Sequence, residues 1–308
     1  MWSMLFRSIR IIFIHQYFIG GLLFFVTSII SYSQKKFIIL DEQEKIGVSY
    51  ALILFDNKAK GTYSDENGVF FIDESTDSIF ISRVGFSSKY LSVNDHNNSI
   101  IYLTPSNTIN EIVVLSKRNK KEIRKIVNWD KKNDGNFTNI SQAALCIDDS
   151  SLIGRQITKA YFKFSGFKFR VKNESRIKRV KSESIIIRIR IYKASKNGEP
   201  GEDILNKNIT KTLDVNAKYA IFNLDNEFIY ISSNKIFISI EFLGCTTANN
   251  SFIPFDSKGE KGELQFTPSF SNSHNNSWSW FKENYNSNWK KILRNHDEIN
   301  FNFSIDIL

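Results

Sequence analysis

The stretch IIIRIRIY, residues 185–192, decides the fold class because apolar and charged side chains alternate along it. Isoleucine holds every second position, at Ile187, Ile189 and Ile191. Successive side chains of a β-strand point to opposite faces of a sheet, so a period of two predicts a strand with one buried face and one face in water. We therefore expect Arg188 and Arg190, which stand between the isoleucines, to be solvated.

The same alternation marks two later stretches. In KIFISIEF (235–242) the apolar positions are Ile236, Ile238, Ile240 and Phe242. In INFNFSIDIL (299–308) they are Ile299, Phe301, Phe303, Ile305 and Ile307. The run YFKFSGFKFRV (161–171) changes register at Ser165-Gly166, as at a β-bulge. Together these strands predict an antiparallel, jelly-roll-like β-sandwich over residues 153–308.

A separate sandwich of shorter strands is expected over residues 34–116. Its apolar runs, each bounded by polar turns, are FIIL (37–40), YALILF (50–55), GVFFI (68–72), SIFIS (78–82), SIIYL (99–103) and INEIVVL (109–115). Short strands separated by turn residues at this spacing are typical of a β-sandwich.

The polar run in GTYSDENGVFFI (61–72) is interpreted as the corner of a sheet and not as a ligand loop. Asn67 and Gly68 tolerate the positive φ of a tight turn, and Asp65 can bond its own downstream backbone. Asp65 and Glu66 supply too few oxygens for a calcium ion, which takes about six to eight ligands. We therefore expect no metal site here.

Four pieces of residues 34–116 carry a resemblance to a known family. They are KGTYSDENGVFFI (60–72), ISRVGF (81–86), IIYLTP (100–105) and NEIVVL (110–115). In this order they resemble the carboxypeptidase regulatory-like domain, a transthyretin-like β-sandwich common in exported proteins of Bacteroidetes-type bacteria. The chain departs from the pattern in two places. Relatives often carry an aromatic residue at the position of Arg83, and they often carry a proline before the second strand, where this chain reads IGVSYA (46–51). The resemblance implies a non-catalytic module, since this domain accompanies some zinc carboxypeptidases and is not the peptidase.

A second resemblance concerns the C-terminal region. RIRIYKASKNGEPGEDIL (188–205), followed by KIFISIEFLG (235–244), is similar to a C-terminal sandwich that accompanies the regulatory-like domain in uncharacterised bacterial proteins. This resemblance implies an architecture and no activity.

Residues 117–152, between the two sandwiches, are expected to form a linker. The stretch KRNKKEIRKIVNWDKKNDGN is highly charged and predicts one short helix around residues 122–129. A basic run can bind nucleic acid, but we interpret this one as a solvated spacer. No nucleic-acid partner is therefore expected.

The first 33 residues are interpreted as a secretory signal peptide. Arg7 and Arg10 precede an apolar stretch over 18–30, and SYSQ (31–34) places small residues at the expected cut. The alternative is a membrane anchor, but a spanning helix needs about 20 mostly apolar residues, and polar residues interrupt this run. Removing the leader lowers the formal net charge from +9 to +7. We expect an exported protein, in the periplasm, at the outer membrane or on the cell surface, with no later transmembrane segment.

No catalytic set, metal site or cofactor is expected. The chain has no GxSxG, P-loop or GxGxxG motif, and no histidine has a glutamate at metal-motif spacing. The alternative is a hydrolase that uses carboxylates such as Asp148 or Glu241. The sequence leaves open whether Cys146 and Cys245, its two cysteines, are bridged, since an exported protein can oxidise them.

The stretch SWSWFKENYNSNW (277–289) holds the candidate ligand-binding residues Trp278, Trp280, Tyr285 and Trp289. Aromatic rings among asparagines and serines suit a sugar, whose apolar face stacks on a ring while amides bond the hydroxyls. The alternative, which we favour, is that Trp278 and Trp280 share one side of a strand and pack in the core.

The whole sequence predicts an all-β, exported and non-catalytic protein of the bacterial envelope, with two antiparallel sandwiches joined by a charged linker. A binding or scaffolding role follows from two β modules, a leader and the lack of a catalytic set. The expected partner is a glycan or an outer-membrane protein. A purely structural spacer is the remaining alternative, and it predicts no exposed aromatic patch.

Overall fold

We describe the protein from a computed structural model. The described residues are 34–56, 60–73, 75–96, 98–106, 124–127, 137–138, 140–173, 176–178, 182–205, 207–255, 262–268, 270–272, 278–283, 287–294 and 297–308. The predicted leader, residues 1–33, and the strand expected at 109–115 lie outside them. Within the described residues the fold is all-β, as predicted, and the helical elements are two 3₁₀ turns, Ser150–Leu152 and Asp225–Glu227. Neither turn has the length or the hydropathy to cross a bilayer.

The chain divides into two compact units. One consists of Met1–Lys36 and Phe71–Thr76, and the other of Phe37–Phe70 and Asp77–Leu308. In the described part of the smaller unit, the side-chain amide of Gln34 donates a hydrogen bond to the Asp73 carboxylate at 3.5 Å. The sites described below lie in the larger unit. The division into sandwiches over 34–116 and 153–308 stays a prediction.

Seven strands lie in the described part of residues 34–116. They are β1 (Gln34–Asp41), β2 (Leu52–Phe55), β3 (Lys60–Tyr63), β4 (Val69–Asp73), β5 (Ser78–Ser82), β6 (Lys89–Ser92) and β7 (Ile100–Leu103). One antiparallel sheet has the order β3-β2-β5-β6. A second has the order β4-β1-β7, in which β1 and β7 are parallel. Alternate side chains of β5, Ile79 and Ile81, are buried, as a period of two predicts.

The turn between β3 and β4 is built as its sequence predicts. The Asp65 carboxylate accepts hydrogen bonds from the backbone N–H groups of Asn67 at 2.9 Å and Val69 at 2.8 Å. Gly68 has a φ of +80°, and a Cβ there would lie 2.3 Å from the carbonyl oxygen of Ile39. Glycine is required because the backbone is left-handed and the neighbouring strand approaches closely. The stretch is therefore a turn, and it joins strands of two different sheets, β3 and β4.

The structure corrects the prediction for residues 117–152. Their described part contains the strands β8 (Arg124–Val127), β9 (Phe137–Thr138) and β10 (Gln142–Asp148). The helix expected around 122–129 is wrong over β8, whose backbone pairs with the last strand of the chain. β10 is not a spacer either, because its residues 143–147 are buried on both faces. Their continuous apolar run, AALCI, is the pattern that burial on both faces favours.

The remaining strands are β11 (Gln156–Asn173), β12 (Arg176–Lys178), β13 (Ser182–Ala194), β14 (Pro200–Asp203), β15 (Thr210–Asp214), β16 (Tyr219–Asn223), β17 (Ile229–Tyr230), β18 (Lys235–Thr247), β19 (Phe252–Pro254), β20 (Gly262–Pro268), β21 (Phe270–Asn272), β22 (Trp278–Lys282), β23 (Lys290–Lys291), β24 (Leu293–Arg294), β25 (Asp297–Phe301) and β26 (Phe303–Ile307). One sheet has the order β14-β13-β18-β10-β22-β23, with β15 beside β13 and β19 beside β18. We call it the β13–β18 sheet. Another has the order β8-β26-β11-β20-β9, with β12, β16 and β17 paired to β11, and a small sheet has the order β21-β25-β24.

One hydrophobic core holds side chains from both large sheets. The β13–β18 sheet contributes Ile187, Ile189, Ile191, Ile236, Ile238 and Ile240. The other contributes Ile157, Phe162, Phe303, Ile305 and Ile307. The ring centroid of Phe162 lies 4.6 Å from that of Phe303 and 5.7 Å from that of Phe222. The buried face that the alternating sequence predicted is therefore confirmed, and the arrangement is sandwich-like; the jelly-roll connectivity stays a prediction.

Strand β11 changes partners at a bulge. Its first half pairs with β16, β17 and β26, and its second half pairs with β20 and β12. The register shifts between Phe164 and Gly166. The change of register predicted at Ser165-Gly166 is thus confirmed, and it lets one long strand serve two stretches of sheet.

Candidate binding site on the β13–β18 sheet

The β13–β18 sheet has a second face, opposite the isoleucine core, that carries charged, polar and aromatic side chains. Cross-strand pairing arranges them in rows. One row is Arg188, Glu241, Gln142 and Lys282. The next is Arg190, Ser239, Ala144 and Trp280. A third joins Tyr192, Phe237 and Cys146. We call this surface the polar face.

The polar face is buried along β13 and β18, which corrects the expectation that its arginines are solvated. Arg188 and Glu241 are each 1% exposed, and the side chain of Arg190 is 15% exposed. The charges meet each other: Glu241 Oε2 accepts hydrogen bonds from Arg188 Nε at 2.9 Å and from Arg190 Nε at 2.7 Å. Buried charges are tolerated when they are paired and hydrogen-bonded in this way.

Glu241 is the centre of this charge network. Its second oxygen, Oε1, accepts a hydrogen bond from the hydroxyl of Tyr63 in β3 at 2.6 Å. Arg190 continues the network through its Nη1, which donates to Asp203 in β14 at 2.6 Å. Two arginines therefore face two carboxylates, and their formal charges cancel.

Arg188 is also held by groups outside the β13–β18 sheet. Its Nη1 donates to the carbonyl oxygen of Tyr50 at 3.1 Å and to the side-chain oxygen of Asn208 at 2.9 Å. Its guanidinium carbon lies 5.7 Å from the centroid of the Tyr63 ring, within the range of a cation–π contact. Its Nη2 has no hydrogen-bond partner among the described residues. The polar face is thus anchored by residues from the N-terminal region as well as by its own strands.

The network fixes the ionisation of its members. Burial alone would raise the pKa of Glu241, but Arg188 and Arg190 together hold this pKa well below its usual range. Burial would lower the pKa of Arg190, but Glu241 and Asp203 raise it above its ordinary value. The pKa of Asp203 is raised, because its burial outweighs the attraction of Arg190. Glu241 is therefore ionised at neutral pH and has no proton to donate.

The two carboxylates of the hydrolase alternative lie far apart. In the pairing of β10 with β18, Asp148 stands opposite Lys235 and Glu241 stands opposite Gln142. Six residues of strand separate the two positions, which is about 20 Å at about 3.4 Å per residue. Paired carboxylates that cleave a glycosidic bond lie within about 10 Å of each other. The structure does not bring Asp148 and Glu241 together as such a pair.

Two of the four candidate aromatic residues meet on the polar face. Trp280 is half-buried, with its ring centroid 6.4 Å from that of Phe237. Trp289 is half-buried, with its ring centroid 5.8 Å from that of Tyr192. The ammonium of Lys282 lies 5.2 Å from the centroid of the Trp289 ring. Two partly exposed indoles and a cation thus lie beside the charge network.

The other two candidates are not placed. Tyr285 and the side chain of Trp278 lie outside the described residues. Trp278 lies in β22, and its backbone stands opposite Cys146 of β10. The favoured alternative, packing in the main core, does not hold for Trp280, which belongs to a small separate cluster with Cys146, Tyr192 and Phe237. Its indole N–H is buried and has no partner among the described residues.

Sequence analysis missed three residues of this site. The Tyr192 hydroxyl donates a hydrogen bond to the side-chain oxygen of Gln142 at 2.8 Å, and Lys282 lies against Trp289. Gln142 was assigned to the linker. The apolar run that follows it, residues 143–147, was the sequence signal for a strand there. Tyr192 ends the alternating stretch 185–192, on the same side as the two arginines. Only the pairing of β13, β18, β10 and β22 brings them together.

The two cysteines are free and buried. Cys146 stands opposite Phe237, which lies eight residues before Cys245 in the same strand, or about 27 Å at about 3.4 Å per residue. A disulfide needs Cα atoms within about 7 Å, so this fold excludes a bridge between them. Burial raises the pKa of each thiol to about 12. Both thiols are therefore neutral, which is unsuited to nucleophilic chemistry.

Neither a metal nor a known family accounts for the polar face. In the part of the chain that the structure describes, no three His, Cys, Asp or Glu side chains are grouped so that they could hold a metal ion. No protein-family model matches the chain, and no curated protein matches it.

Proposed function

We propose that this protein is an exported, non-catalytic binding protein of the bacterial envelope, and that its polar face binds a glycan through Trp280 and Trp289. The observation that carries the proposal is the meeting of two half-exposed indoles with Lys282 and Gln142 on one sheet face. An indole offers an apolar face for stacking on a pyranose ring, and amide and ammonium groups bond its hydroxyls.

The charge network supports this proposal by making the site rigid. Binding sites built on strands and backed by hydrogen-bonded side chains lose little conformational freedom when a ligand binds. Gln142 and Lys282 belong to the same cross-strand row as Arg188 and Glu241. The buried ion pair therefore fixes the strands that present the groups proposed to contact sugar.

The N-terminal region supports the polar face. Its resemblance to the regulatory-like domain implies a non-catalytic role, and Tyr63 contributes a hydroxyl to Glu241 at 2.6 Å. We assign to this region the task of holding the polar face in shape. The sequence has no tryptophan between residues 34 and 116. The short strands of this region therefore offer no second cluster of half-exposed indoles.

Binding of the full chain to an array of envelope glycans, followed by calorimetry, tests the proposal. Trp289→Ala and Trp280→Ala should each weaken the best glycan by about tenfold or more, which corresponds to about 1.4 kcal/mol. Tyr90→Ala is the matched control, since Tyr90 is an aromatic residue that is 60% exposed in β6, and it should bind like the parent chain.

Unchanged far-ultraviolet circular dichroism must accompany any loss of binding. Equal affinity of the parent chain and a folded Trp289→Ala/Trp280→Ala chain would reject the polar face as the site. If no envelope glycan binds but an outer-membrane protein does, the scaffolding form of the hypothesis replaces the glycan form. Binding to neither would leave the structural spacer.

A further inference from the structure

A cleft of about 1060 Å³ borders the polar face at Arg190 but contains none of the groups proposed to contact sugar. It is lined by residues 82–86 after β5, by residues 202–205 at the end of β14, and by residues 226–232 around β17. Trp280, Trp289 and Lys282 are not among its lining residues. Ligand sites in proteins occupy roughly 300–1000 Å³, so this cleft can hold a small organic molecule or the end of a peptide.

Of the four cationic side chains that line the cleft, two form ion pairs with carboxylates and two do not, among the described residues. Arg190 is held by Asp203 at 2.6 Å, and Lys207 is held by Glu227 at 3.1 Å. Arg83 and Lys193 also line the cleft, and within the described chain neither has a carboxylate within ion-pair distance. Two positive charges are thus available to an anion that enters the cleft.

Arg83 is the better placed of the two available cations. Its Nε is buried and has no hydrogen-bond partner among the described residues, and its Nη1 makes only a 3.5 Å contact with the carbonyl oxygen of Val84. Its guanidinium carbon lies 4.9 Å from the centroid of the Phe86 ring, within the range of a cation–π contact. Burial and the nearby Arg188 lower the pKa of Arg83 to about 10. The protein thus holds a partly buried cation that has no carboxylate within ion-pair distance among the described residues.

The apolar part of the lining is unusually exposed. Phe228 is 68% exposed and Ile153 is 52% exposed, and both line the cleft. Phe228 also has a φ of 50°, in the left-handed region that a bulky residue rarely adopts. Strained residues of this kind cluster at binding and switch sites. Both side chains offer apolar surface to a molecule in the cleft.

We propose that this cleft binds an organic monoanion, a carboxylate held by the Nη groups of Arg83 with an apolar substituent against Phe228 and Ile153. The planar fork of a guanidinium matches the two oxygens of a carboxylate. A phosphate dianion fits less well, because Glu202, Asp203 and Glu227 also line the cleft and repel additional negative charge. The same chemistry is offered by a free aromatic acid and by the C-terminal residue of a peptide.

Calorimetry on the full chain with four probes tests this proposal. The probes are 3-phenylpropionate, its neutral amide, the peptide acetyl-Gly-Gly-Phe with a free carboxylate, and the same peptide with an amidated C-terminus. At least one acid should bind about tenfold or more tightly than its amide. Tighter binding of the peptide acid assigns the site to peptide C-termini, and tighter binding of 3-phenylpropionate assigns it to free acids.

Variants separate the cleft from adventitious binding. Arg83→Gln should weaken the acid about tenfold or more and bring it level with its amide, and Arg83→Lys should lose less. Phe228→Ala should weaken both acid and amide. Tyr219→Ala is the matched control, since Tyr219 is an aromatic residue that is 50% exposed in β16 and does not line the cleft; it should leave binding unchanged.

Three results would overturn the proposal: neither acid binds at millimolar concentration, acid and amide bind equally, or folded Arg83→Gln binds like the parent chain. If Arg83→Gln does not fold, Phe228→Ala decides, because removing an exposed side chain is compatible with the fold. Unchanged affinity in that variant would then reject the cleft. These assays use no glycan, so their outcome is independent of the function proposed for the polar face.

Discussion

The two faces of the β13–β18 sheet come from the same strands and have opposite chemistry. On one face, Ile189 and Ile240 pack into the hydrophobic core. On the other, one residue away along the chain, Arg188 and Glu241 are buried to the same degree, at 1% exposure. The first face is stabilised by removing apolar surface from water, and the second by pairing charges that water no longer solvates.

The difference teaches what an alternating sequence can and cannot predict. A period of two tells which side chains share a face, because it follows from the geometry of the strand. It does not tell whether the second face meets water, because the cover comes from elsewhere in the chain. Tyr63, whose hydroxyl bonds Glu241, is 178 positions away from it.

The largest expected effect comes from removing the charge at the centre of the polar face. Glu241→Gln leaves the buried Arg188 without a carboxylate and Arg190 with Asp203 alone, and it should lower the free energy of unfolding by about 3–5 kcal/mol. Ile240→Val, on the neighbouring residue and the opposite face, should cost about 0.5–1.5 kcal/mol. Urea unfolding followed by circular dichroism measures both. A smaller loss for Glu241→Gln than for Ile240→Val would show that the polar face is solvated after all.

A smaller effect is expected from the contact that covers Glu241. Tyr63→Phe removes a donor to a buried carboxylate and should cost about 1–3 kcal/mol in free energy of unfolding. Tyr90→Phe removes a hydroxyl that donates to Ser78 at an exposed site, and its cost should be below about 0.5 kcal/mol. The same urea experiment compares the two variants. Equal costs would mean that Tyr63 contributes no buried hydrogen bond.

The smallest effect is expected at the thiols, one on each face. Cys146 lies on the polar face and Cys245 in the hydrophobic core, and burial raises the pKa of both to about 12. An aromatic disulfide reagent at mildly alkaline pH should find both thiols unreactive in the folded chain and both reactive in denaturant. Rapid labelling of the folded chain would contradict the burial, and no labelling in denaturant without reductant would indicate a disulfide.

The fold class was predictable because it depends on local periods. Alternate residues of β13, β18 and β26 are apolar, and these side chains are buried together in one core. Strand β10 was missed because its short apolar run follows a charged stretch and has no alternation. The short helix expected near it was wrong over residues 124–127, since pairing with the edge of β26 replaced the weak helical preference.

The candidate site was predictable only in part. Trp280 and Trp289 lie close in sequence, and a two-stranded pairing of β22 with β23 brings them to one edge. Their neighbours Tyr192 and Gln142 come from β13 and β10, which local patterns do not align. The burial of Arg188 and Glu241 depends on the register of β13 with β18 and on a distant tyrosine, and neither is encoded in the stretch that contains them.

The charge network also predicts how stability depends on pH. Because the pKa of Glu241 is lower in the folded chain than the ordinary value of about 4.3, its stabilisation is complete above about pH 4.3 and is lost as the pH falls through the folded value. The difference in unfolding free energy between the parent chain and Glu241→Gln should therefore be constant near neutral pH and shrink in acid. Asp203, whose pKa shift has the opposite sign, is present in both chains, so this difference reports mainly on Glu241.

The central claim is that the second face of the β13–β18 sheet is a buried, paired network, and the pKa of Glu241 tests it most directly. Carbon-detected NMR of the glutamate carboxyl groups, with the Glu241 signal assigned from Glu241→Gln, measures that pKa. We expect a signal that does not move between neutral pH and values well below the ordinary glutamate pKa of about 4.3. A Glu241 carboxyl that titrates near 4.3, like a solvated side chain, would contradict the account.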